Sequence, residues 1–213
     1  METTEKTIIK SLAAALHLND TIKTIYERRA VRKYKEIPLE RTIIEQIVDA
    51  GRMAPSAINK QPWKFYILTN KDDIKDFSNE ILKAVIKGVV KAGIKGIVKA
   101  TKDVLHFSHS SDFFNTEDPI FHGAPLVIFI TSPKDNEWAA LDIGMCSQNI
   151  MLTAKSMGVA SCPIGMGKFV EQTKIYSRLH IPESEQVNLA IILGYGDEEP
   201  QMKDRVKNNI SFI

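Results

Sequence analysis

The chain has 213 residues, of which 44% are hydrophobic and 25% are charged, and its formal net charge is +2. These values are ordinary for a folded globular protein, so they exclude wholesale disorder and argue against a membrane-spanning protein. The small net charge also excludes a surface that binds nucleic acid over its whole extent, so any anion-binding role must be local. We expect a single domain covering residues 1–213, since its length is close to that of one domain.

The first 20 residues predict a short N-terminal helical extension. Glu2 and Glu5 stand where a signal peptide needs positive charge, and no window approaches 18 uninterrupted apolar residues. Cys146 and Cys162 lack a metal-type spacing, and a chain of this length does not need a disulfide, so we expect two reduced thiols. The sequence therefore favours a cytoplasmic protein.

A second helix should end at a cluster of cations. Arg28, Arg29, Arg32 and Lys33 lie within six residues, and the alternation from Val31 to Tyr34 predicts that the chain leaves the helix extended. A solvated helix end would explain this charge run as readily as a site for an anion. The choice between the two depends on the rest of the chain.

Residues 54–62 form a polar loop with two prolines, between a helix that must stop before Pro55 and a predicted strand, Trp63–Leu68. The prolines alone could mark a connecting turn. A ligand site is better served by such a loop, because prolines reduce the entropy lost in holding Ser56, Asn59 and Gln61 in place.

The segment from Ile81 to Leu105 predicts a basic amphipathic helix with a lysine stripe at residues 83–99, spaced four apart, and three glycines that weaken it. We expect residues 80–122 to form a variable helical cover over a pocket; contact of the stripe with a membrane surface is the weaker alternative. His106, His109 and Asp112 lack a companion cluster, so we expect no metal site. Pocket lining is the preferred role for four aromatic residues, Phe107, Phe113, Phe114 and Phe121.

The second half of the chain predicts a buried core. Residues 125–131 and 187–195 are apolar runs typical of strands buried on both faces, and residues 137–157 predict a helix that is apolar almost all round. Such a helix is central or lies against a second subunit. A strand ends in a glycine-containing turn at residues 163–167, a further helix is expected at 169–180, and the tail carries Lys203, Arg205 and Lys207.

Taken in this order and spacing, these pieces resemble the FMN-binding pattern of the nitroreductase family, from about Tyr26 to Arg205. The most specific part is the segment 54–63, which follows the Arg28–Arg32 cluster by one helix. The resemblance implies an α+β, nitroreductase-like fold with a mixed, mainly antiparallel sheet flanked by helices. It also implies an intertwined homodimer that binds FMN at each of two subunit interfaces.

The resemblance assigns cofactor contacts to four groups of residues. Cations at the phosphate and ribityl end are matched by Arg28, Arg29, Lys203 and Arg205, and the cation beside flavin N1 is matched by Arg32. The partner subunit's loop along the cofactor is matched by Pro55, Ser56, Ala57 and Asn59, with Gln61 in the same loop. The turn whose amides face flavin N5 and O4 is matched by Pro163, Ile164, Gly165 and Met166. Ala30 departs from the pattern, since many members have serine there, and a lost hydroxyl contact costs on the order of 1 kcal/mol.

The function implied is an oxidoreductase that uses NADH or NADPH to reduce FMN, which then reduces a nitroaromatic, quinone or similar small acceptor in a ping-pong cycle through flavin N5. No side chain needs to act as an acid or base, and Cys162 is better explained as a packed thiol than as a nucleophile. Two alternatives share the fold and cofactor: a specialised flavin enzyme that dehalogenates or dehydrogenates one metabolite, and a flavin-binding protein without turnover. Neither nucleic acid nor a membrane is expected as a partner.

Overall fold

The computed structural model describes residues 19–91 and 118–213. These ranges contain four α-helices, α1 (Asp20–Glu27), α2 (Arg41–Arg52), α3 (Lys71–Lys91) and α4 (Ala139–Ser156), and four strands, β1 (Lys64–Leu68), β2 (Leu126–Pro133), β3 (Ala160–Ile164) and β4 (Glu185–Gly194). Three 3₁₀ segments complete them, at Ala57–Asn59, Gly165–Gln172 and Tyr176–Leu179. No helix within these ranges has the length and apolar character needed to cross a bilayer.

Two of the predicted regions fall largely outside this description. Residues 1–18 of the predicted N-terminal extension and residues 92–117 of the predicted cover, including His106, His109 and Asp112, lie outside the described residues. The described part of the cover is the C-terminal half of α3 and the turn that precedes β2.

The four strands form one sheet in the order β1-β2-β4-β3, and each neighbouring pair is antiparallel. An isolated parallel bridge joins Ala30 to Ser161 of β3, so the pairing is mixed but mainly antiparallel. The two strands predicted to be buried on both faces are β2 and β4, and they occupy the two central positions. The predicted α+β fold class is therefore confirmed.

The sheet separates two hydrophobic cores because successive side chains of a strand point to opposite faces. On β2, Leu126, Ile128 and Ile130 face α2 and α4, whereas Val127 and Phe129 face α3 and the 3₁₀ segments. All five side chains are 1% exposed or less. Helices thus cover both faces, and the predicted apolar helix at residues 137–157 is confirmed as α4.

The turn before β2 corrects one sequence-based prediction. Phe121, expected to line a pocket, is fully buried and packs edge-on against Phe129 with ring centroids 6.0 Å apart. Asp118 explains this position, because its carboxylate accepts hydrogen bonds from the amides of Phe121 (2.8 Å) and Gly123 (3.0 Å) and from the hydroxyl of Ser78 on α3. The turn is therefore part of the core.

The helix predicted at residues 169–180 is wrong. The chain forms two 3₁₀ segments there, separated by an extended Thr173, and the second ends at a left-handed His180. The β-branched residues Val170, Thr173 and Ile175 are poor helix formers. The first segment lies directly on β4: a Cβ added to Gly167 would be 2.4 Å from the Cβ of Ala190, so only glycine allows this approach.

Candidate functional site

The cations that follow α1 are held against the body of the protein rather than extended into solvent. Arg28 ends the helix, and its amide donates to the Thr24 carbonyl at 2.9 Å. Arg29 donates from Nη1 to the carbonyls of Tyr26 (2.6 Å) and Arg28 (2.9 Å), which are acceptors left free at a helix end. Both arginine side chains are half-buried.

This cluster keeps unused hydrogen-bond donors. Among the described residues, Arg28 Nη1 and Arg29 Nε are buried and have no partner. A buried N–H without an acceptor costs about 1–3 kcal/mol, and more when the group is charged, so such atoms call for an explanation. A bound anion would supply the acceptors.

The C-terminal tail adds positive charge to the same place. Burial lowers the pKa of Arg28; the Cys162 thiol opposes this, and the neighbouring charges of Arg29 and Arg205 lower the pKa further. Arg205, from a distant part of the sequence, therefore lies close enough to Arg28 for its charge to act on it. Lys203 is exposed, and its carbonyl accepts a hydrogen bond from Arg205 Nη1 at 2.6 Å.

The chain after the cation cluster runs beside the edge of the sheet. The Val31 amide donates to the Ser161 carbonyl of β3 at 3.2 Å. The Lys35 amide donates to the Tyr195 carbonyl at 2.8 Å, and the Asp197 amide donates to the Lys33 carbonyl at 2.9 Å. The amide of Arg32 donates to Glu198 Oε1 at 2.5 Å. Residues 30–35 are thereby fixed between β3 and the chain that follows β4.

β3 leads from this segment to the predicted glycine turn. Pro163 and Gly165 are exposed, Met166 is partly buried, and Ile164 belongs to the core. A Cβ added to Gly165 would meet nothing within 4 Å, so the space beside the turn is open. The first amides of a 3₁₀ segment have no acceptor within their own turn, so those of Gly165–Gln172 can serve a ligand. Ser161 and Gly165 lie roughly 13 Å apart at the rise of a strand.

The polar loop after α2 is rigid. Ser56 Oγ accepts from the Gln61 amide at 2.9 Å, and Gln61 Nε2 donates to Asn59 Oδ1 at 3.1 Å. Ile58, Asn59 and Gln61 all have left-handed backbone conformations, with φ of 47°, 56° and 46°. Non-glycine residues seldom adopt this conformation, so the surroundings must hold the loop in place.

A buried carboxylate on α4 provides that hold. Asp142 is 1% exposed, and its Oδ1 accepts from the Ala57 amide at 3.2 Å. Sequence reasoning missed Asp142, although it is the only acidic residue in the apolar helix α4, and a buried charge requires a partner. Glu198 was also missed: it lies in the acidic run Asp197–Glu199, which has the pattern of a solvated surface.

The predicted site residues do not all meet within one chain. Arg28, Arg32 and the glycine turn are attached to β3 at one edge of the sheet, whereas the loop of residues 55–61 leads into β1 at the other edge. Three interstrand spacings, roughly 14 Å, separate the two edges. One copy of the chain therefore holds the predicted site residues in two separate places.

Two groups beside Arg32 respond to its charge. Burial lowers the pKa of His122 and Arg32 lowers it further, while Asp118 and Glu198 oppose this. Burial raises the pKa of Cys162, which Arg32 and Arg28 partly offset. Cys146 and Cys162 are free and buried, as predicted, and residues 19–91 and 118–213 contain no group of three acidic, histidine or cysteine residues placed to hold a metal.

Comparison with protein families matches residues 25–195 to a model described as the Nitroreductase family. A 4-nitrobenzoate reductase of Pseudomonas putida is 29% identical over 209 residues, which cover 86% of this chain and 88% of the relative. A protein of Archaeoglobus fulgidus named as a putative NADH dehydrogenase/NAD(P)H nitroreductase is 26% identical over 187 residues and covers 85% of this chain and 88% of its own. The match to the family model includes every predicted site residue except Lys203 and Arg205.

The solved structures carry the same fold. A nitroreductase with bound FMN from Bacteroides fragilis superimposes with a TM-score of 0.72 at 24% identity, over 92% of this chain and 100% of that chain. A second, from Desulfitobacterium hafniense, gives 0.72 at 23% identity, over 92% and 99%. At these identities the likeness establishes the fold alone.

Both thiols should be unreactive in the folded protein. Burial raises the pKa of Cys146 to about 12, although Arg52 acts against the shift. We expect iodoacetamide at pH 8 to label Cys146 and Cys162 in urea but not in the native protein, as measured by mass spectrometry. The raised pKa of Cys146 also makes the free energy of unfolding depend on pH. Because the folded pKa lies above the unfolded value of about 8.5, the contribution of the neutral thiol to that free energy is fully present below pH 8.5 and is lost as pH rises towards 12. Cys146→Ala should reduce the decrease in the free energy of unfolding between pH 8.5 and 12. Rapid iodoacetamide labelling of the native protein would contradict the expectation that both thiols are unreactive.

Proposed function

This chain belongs to the nitroreductase family, and from that premise we propose that it is an FMN-dependent oxidoreductase. It would use NADH or NADPH to reduce a small oxidised acceptor, such as a nitroaromatic compound or a quinone. The observation that carries the proposal is the pair of buried, unpartnered donors Arg28 Nη1 and Arg29 Nε beside Arg205. The relatives named as a 4-nitrobenzoate reductase and as a putative NAD(P)H nitroreductase, and the FMN named in the solved structures, support the choice of reaction and cofactor.

The cation cluster fits the phosphate end of FMN. A phosphomonoester presents three oxygen acceptors and nearly two negative charges, and guanidinium groups meet such oxygens with paired, charge-assisted hydrogen bonds. Arg28, Arg29 and Arg205 would hold the phosphate, with Lys203 contributing charge from the tail. Binding would satisfy the orphaned donors and relieve the repulsion among the arginines.

The remaining contacts would orient the ring. When bound, FMN supplies the two-electron redox chemistry. Arg32, fixed by its backbone between β3 and Glu198, would place a positive charge near N1, where negative charge collects on reduction. The amides of the turn that begins at Gly165 would donate to the N5 and O4 side. Pro55, Ser56, Ala57, Asn59 and Gln61 would lie along the cofactor from a second chain.

The need for a second chain leads us to infer a homodimer. The two parts of the site lie at opposite edges of one sheet, so a single flavin that contacts both must receive them from two copies. Apolar side chains are exposed beside the loop, at Met53 (77%), Ile58 (88%) and Leu141 (60%), and Phe212 of the tail is 98% exposed. Surfaces of this kind favour association.

An open groove along β1 supports an intertwined arrangement. The groove has a volume of about 580 Å³ and is lined by Val48, Arg52, Gln61 and residues 63–67. On its open side β1 has no strand neighbour within residues 19–91 and 118–213, and an unpaired edge can accept another strand. The exposed residues 203–213 of a second copy would fill this groove.

The first test is the visible spectrum of the purified protein under anaerobic conditions, before and after addition of NADH or NADPH. We expect flavin absorption bands that bleach with one of the two donors and return when a nitroaromatic compound or a quinone is added. Bands that never bleach would contradict the reductase function but leave cofactor binding intact. A colourless protein that cannot be reconstituted with FMN would contradict both.

Removing two of the phosphate cations should release FMN. Each charge-assisted hydrogen bond contributes about 1.5–3 kcal/mol, so we expect Arg28→Ala combined with Arg205→Ala to weaken FMN binding at least about a hundredfold. Titration of the apoprotein with FMN, followed by quenching of flavin fluorescence, measures this. Arg41→Ala is the control, because Arg41 is exposed and pairs with Glu45 of the same helix at 2.7 Å. Unchanged affinity in the double variant would show that the phosphate lies elsewhere.

A charge at the exposed face of α4 should separate the subunits. Leu141→Glu leaves the core of one chain intact but would bury a carboxylate at the interface, which costs on the order of 3 kcal/mol. We expect light scattering to show a shift from dimer to monomer, with parallel loss of bound flavin. Ile86→Glu, on the other face of the sheet and 51% exposed, is the matched control and should stay dimeric. A Leu141→Glu monomer that retains FMN would exclude a shared site.

A further inference from the structure

Glu198 contacts the predicted cofactor site from a distant part of the sequence. Its carboxylate accepts a hydrogen bond from the amide of Arg32, 166 residues away, at 2.5 Å. The neighbouring backbone bonds, from Lys35 to Tyr195 and from Asp197 to Lys33, join main-chain atoms on both sides. At Arg32 a side chain takes over the role of acceptor.

This hydrogen bond fixes the backbone of Arg32, whose side chain would place a positive charge near flavin N1. The Arg32 guanidinium lies at the end of a flexible side chain, so its position depends on how firmly the Arg32 backbone is held. Val31 is tied to β3 by its amide, and Tyr34 donates from its hydroxyl to the Val31 carbonyl at 2.6 Å. Because the Arg32 amide donates to Glu198, the residues Val31, Arg32 and Tyr34 each have a defined hydrogen-bond partner.

Glu198 also stands where the tail leaves the sheet. A β-bridge joins Tyr34 to Gly196 shortly before Pro200, and the chain beyond it brings the charge of Arg205 close to Arg28. Together with the backbone bonds of Lys35 and Asp197, Glu198 thus joins the segment that carries Arg32 to the segment that carries Arg205.

The charge of Glu198 acts on this region as well. It is one of the charges that influence Tyr34, His122 and Cys162, together with that of Arg32. A carboxylate beside Arg32 partly offsets the positive charge that would stabilise a reduced, anionic flavin. Its removal should make the flavin easier to reduce.

We propose that Glu198 is a positioning residue for the cofactor site: its carboxylate holds the Arg32 backbone in register with β3 and moderates the charge that Arg32 presents to the flavin. The proposal rests on the proposed function, since it assigns Glu198 a role towards bound FMN. It separates two properties of one side chain, the acceptor oxygen and the negative charge.

Two substitutions distinguish these properties. Glu198→Gln keeps an acceptor oxygen and removes the charge, whereas Glu198→Ala removes both. Glu199→Gln and Glu199→Ala are matched controls, because Glu199 is the next residue, carries the same charge and is exposed. The full-length proteins are compared in hydrogen exchange of residues 30–35, in FMN affinity by fluorescence titration, and in the flavin midpoint potential.

We expect Glu198→Ala to speed exchange of the Arg32 amide and to weaken FMN binding, each roughly tenfold. Glu198→Gln should keep both within about threefold of the wild type and raise the midpoint potential, an effect that a purely structural role would not produce. The Glu199 variants should match the wild type in all three measurements.

The inference is overturned if Glu198→Ala matches Glu199→Ala in exchange and affinity, or if Glu198→Gln binds FMN as weakly as Glu198→Ala. The role given to the charge of Glu198 is overturned if the flavin midpoint potential of Glu198→Gln equals that of the wild type. A wild-type protein that binds no FMN would instead contradict the proposed function, which separates that failure from a failure of the role given to Glu198.

Discussion

The pairing of β2 with β4 is the constraint on which the rest of the structure depends. β2 up to Ser132 and residues 190–194 of β4 are buried on both faces, so their backbone groups must bond to each other and to the outer strands. The same burial forces alternate side chains into two separate cores, each of which needs its own helices. Because β2 and β4 occupy the centre of the four-stranded sheet, β1 and β3 are its edge strands.

The placement of the site follows from those edges. An edge strand has free backbone groups on one side, and here β3 uses them to receive the segment after α1 through the bridge between Ala30 and Ser161. Arg28 and Arg32 reach the site because this segment is bonded to the sheet. The loop before β1, at the opposite edge, is held by a side chain instead: Asp142 of α4 accepts a hydrogen bond from the Ala57 amide. The predicted site residues of one chain thus lie in two groups, at opposite edges of the sheet.

The sequence predicts the parts of this structure that burial dictates. The strands around Ile128 and Ile191 and the helix around Cys146 have hydrophobic patterns that allow few other structures. The 3₁₀ segment Gly165–Gln172 was not predicted, because it packs on β4 through the contact of Gly167 with Ala190, which joins residues distant in sequence. The cations and the polar loop were identified by their order along the chain. Asp142 and Glu198 were not, since each owes its role to one long-range hydrogen bond that no local pattern encodes.

The close approach of Gly167 to Ala190 has a consequence for how steadily the neighbouring turn is held. Because Gly167 has no side chain, the turn that begins at Gly165 rests directly on the methyl group and backbone of Ala190 in β4, and β4 is a central strand of the sheet. Packed interiors deform little, so the thermal displacement of the turn should be close to that of the sheet rather than that of a surface loop. The amide dipoles of the turn should therefore keep fixed directions relative to the sheet. A redox group placed against them would meet an environment that hardly reorganises when its charge changes.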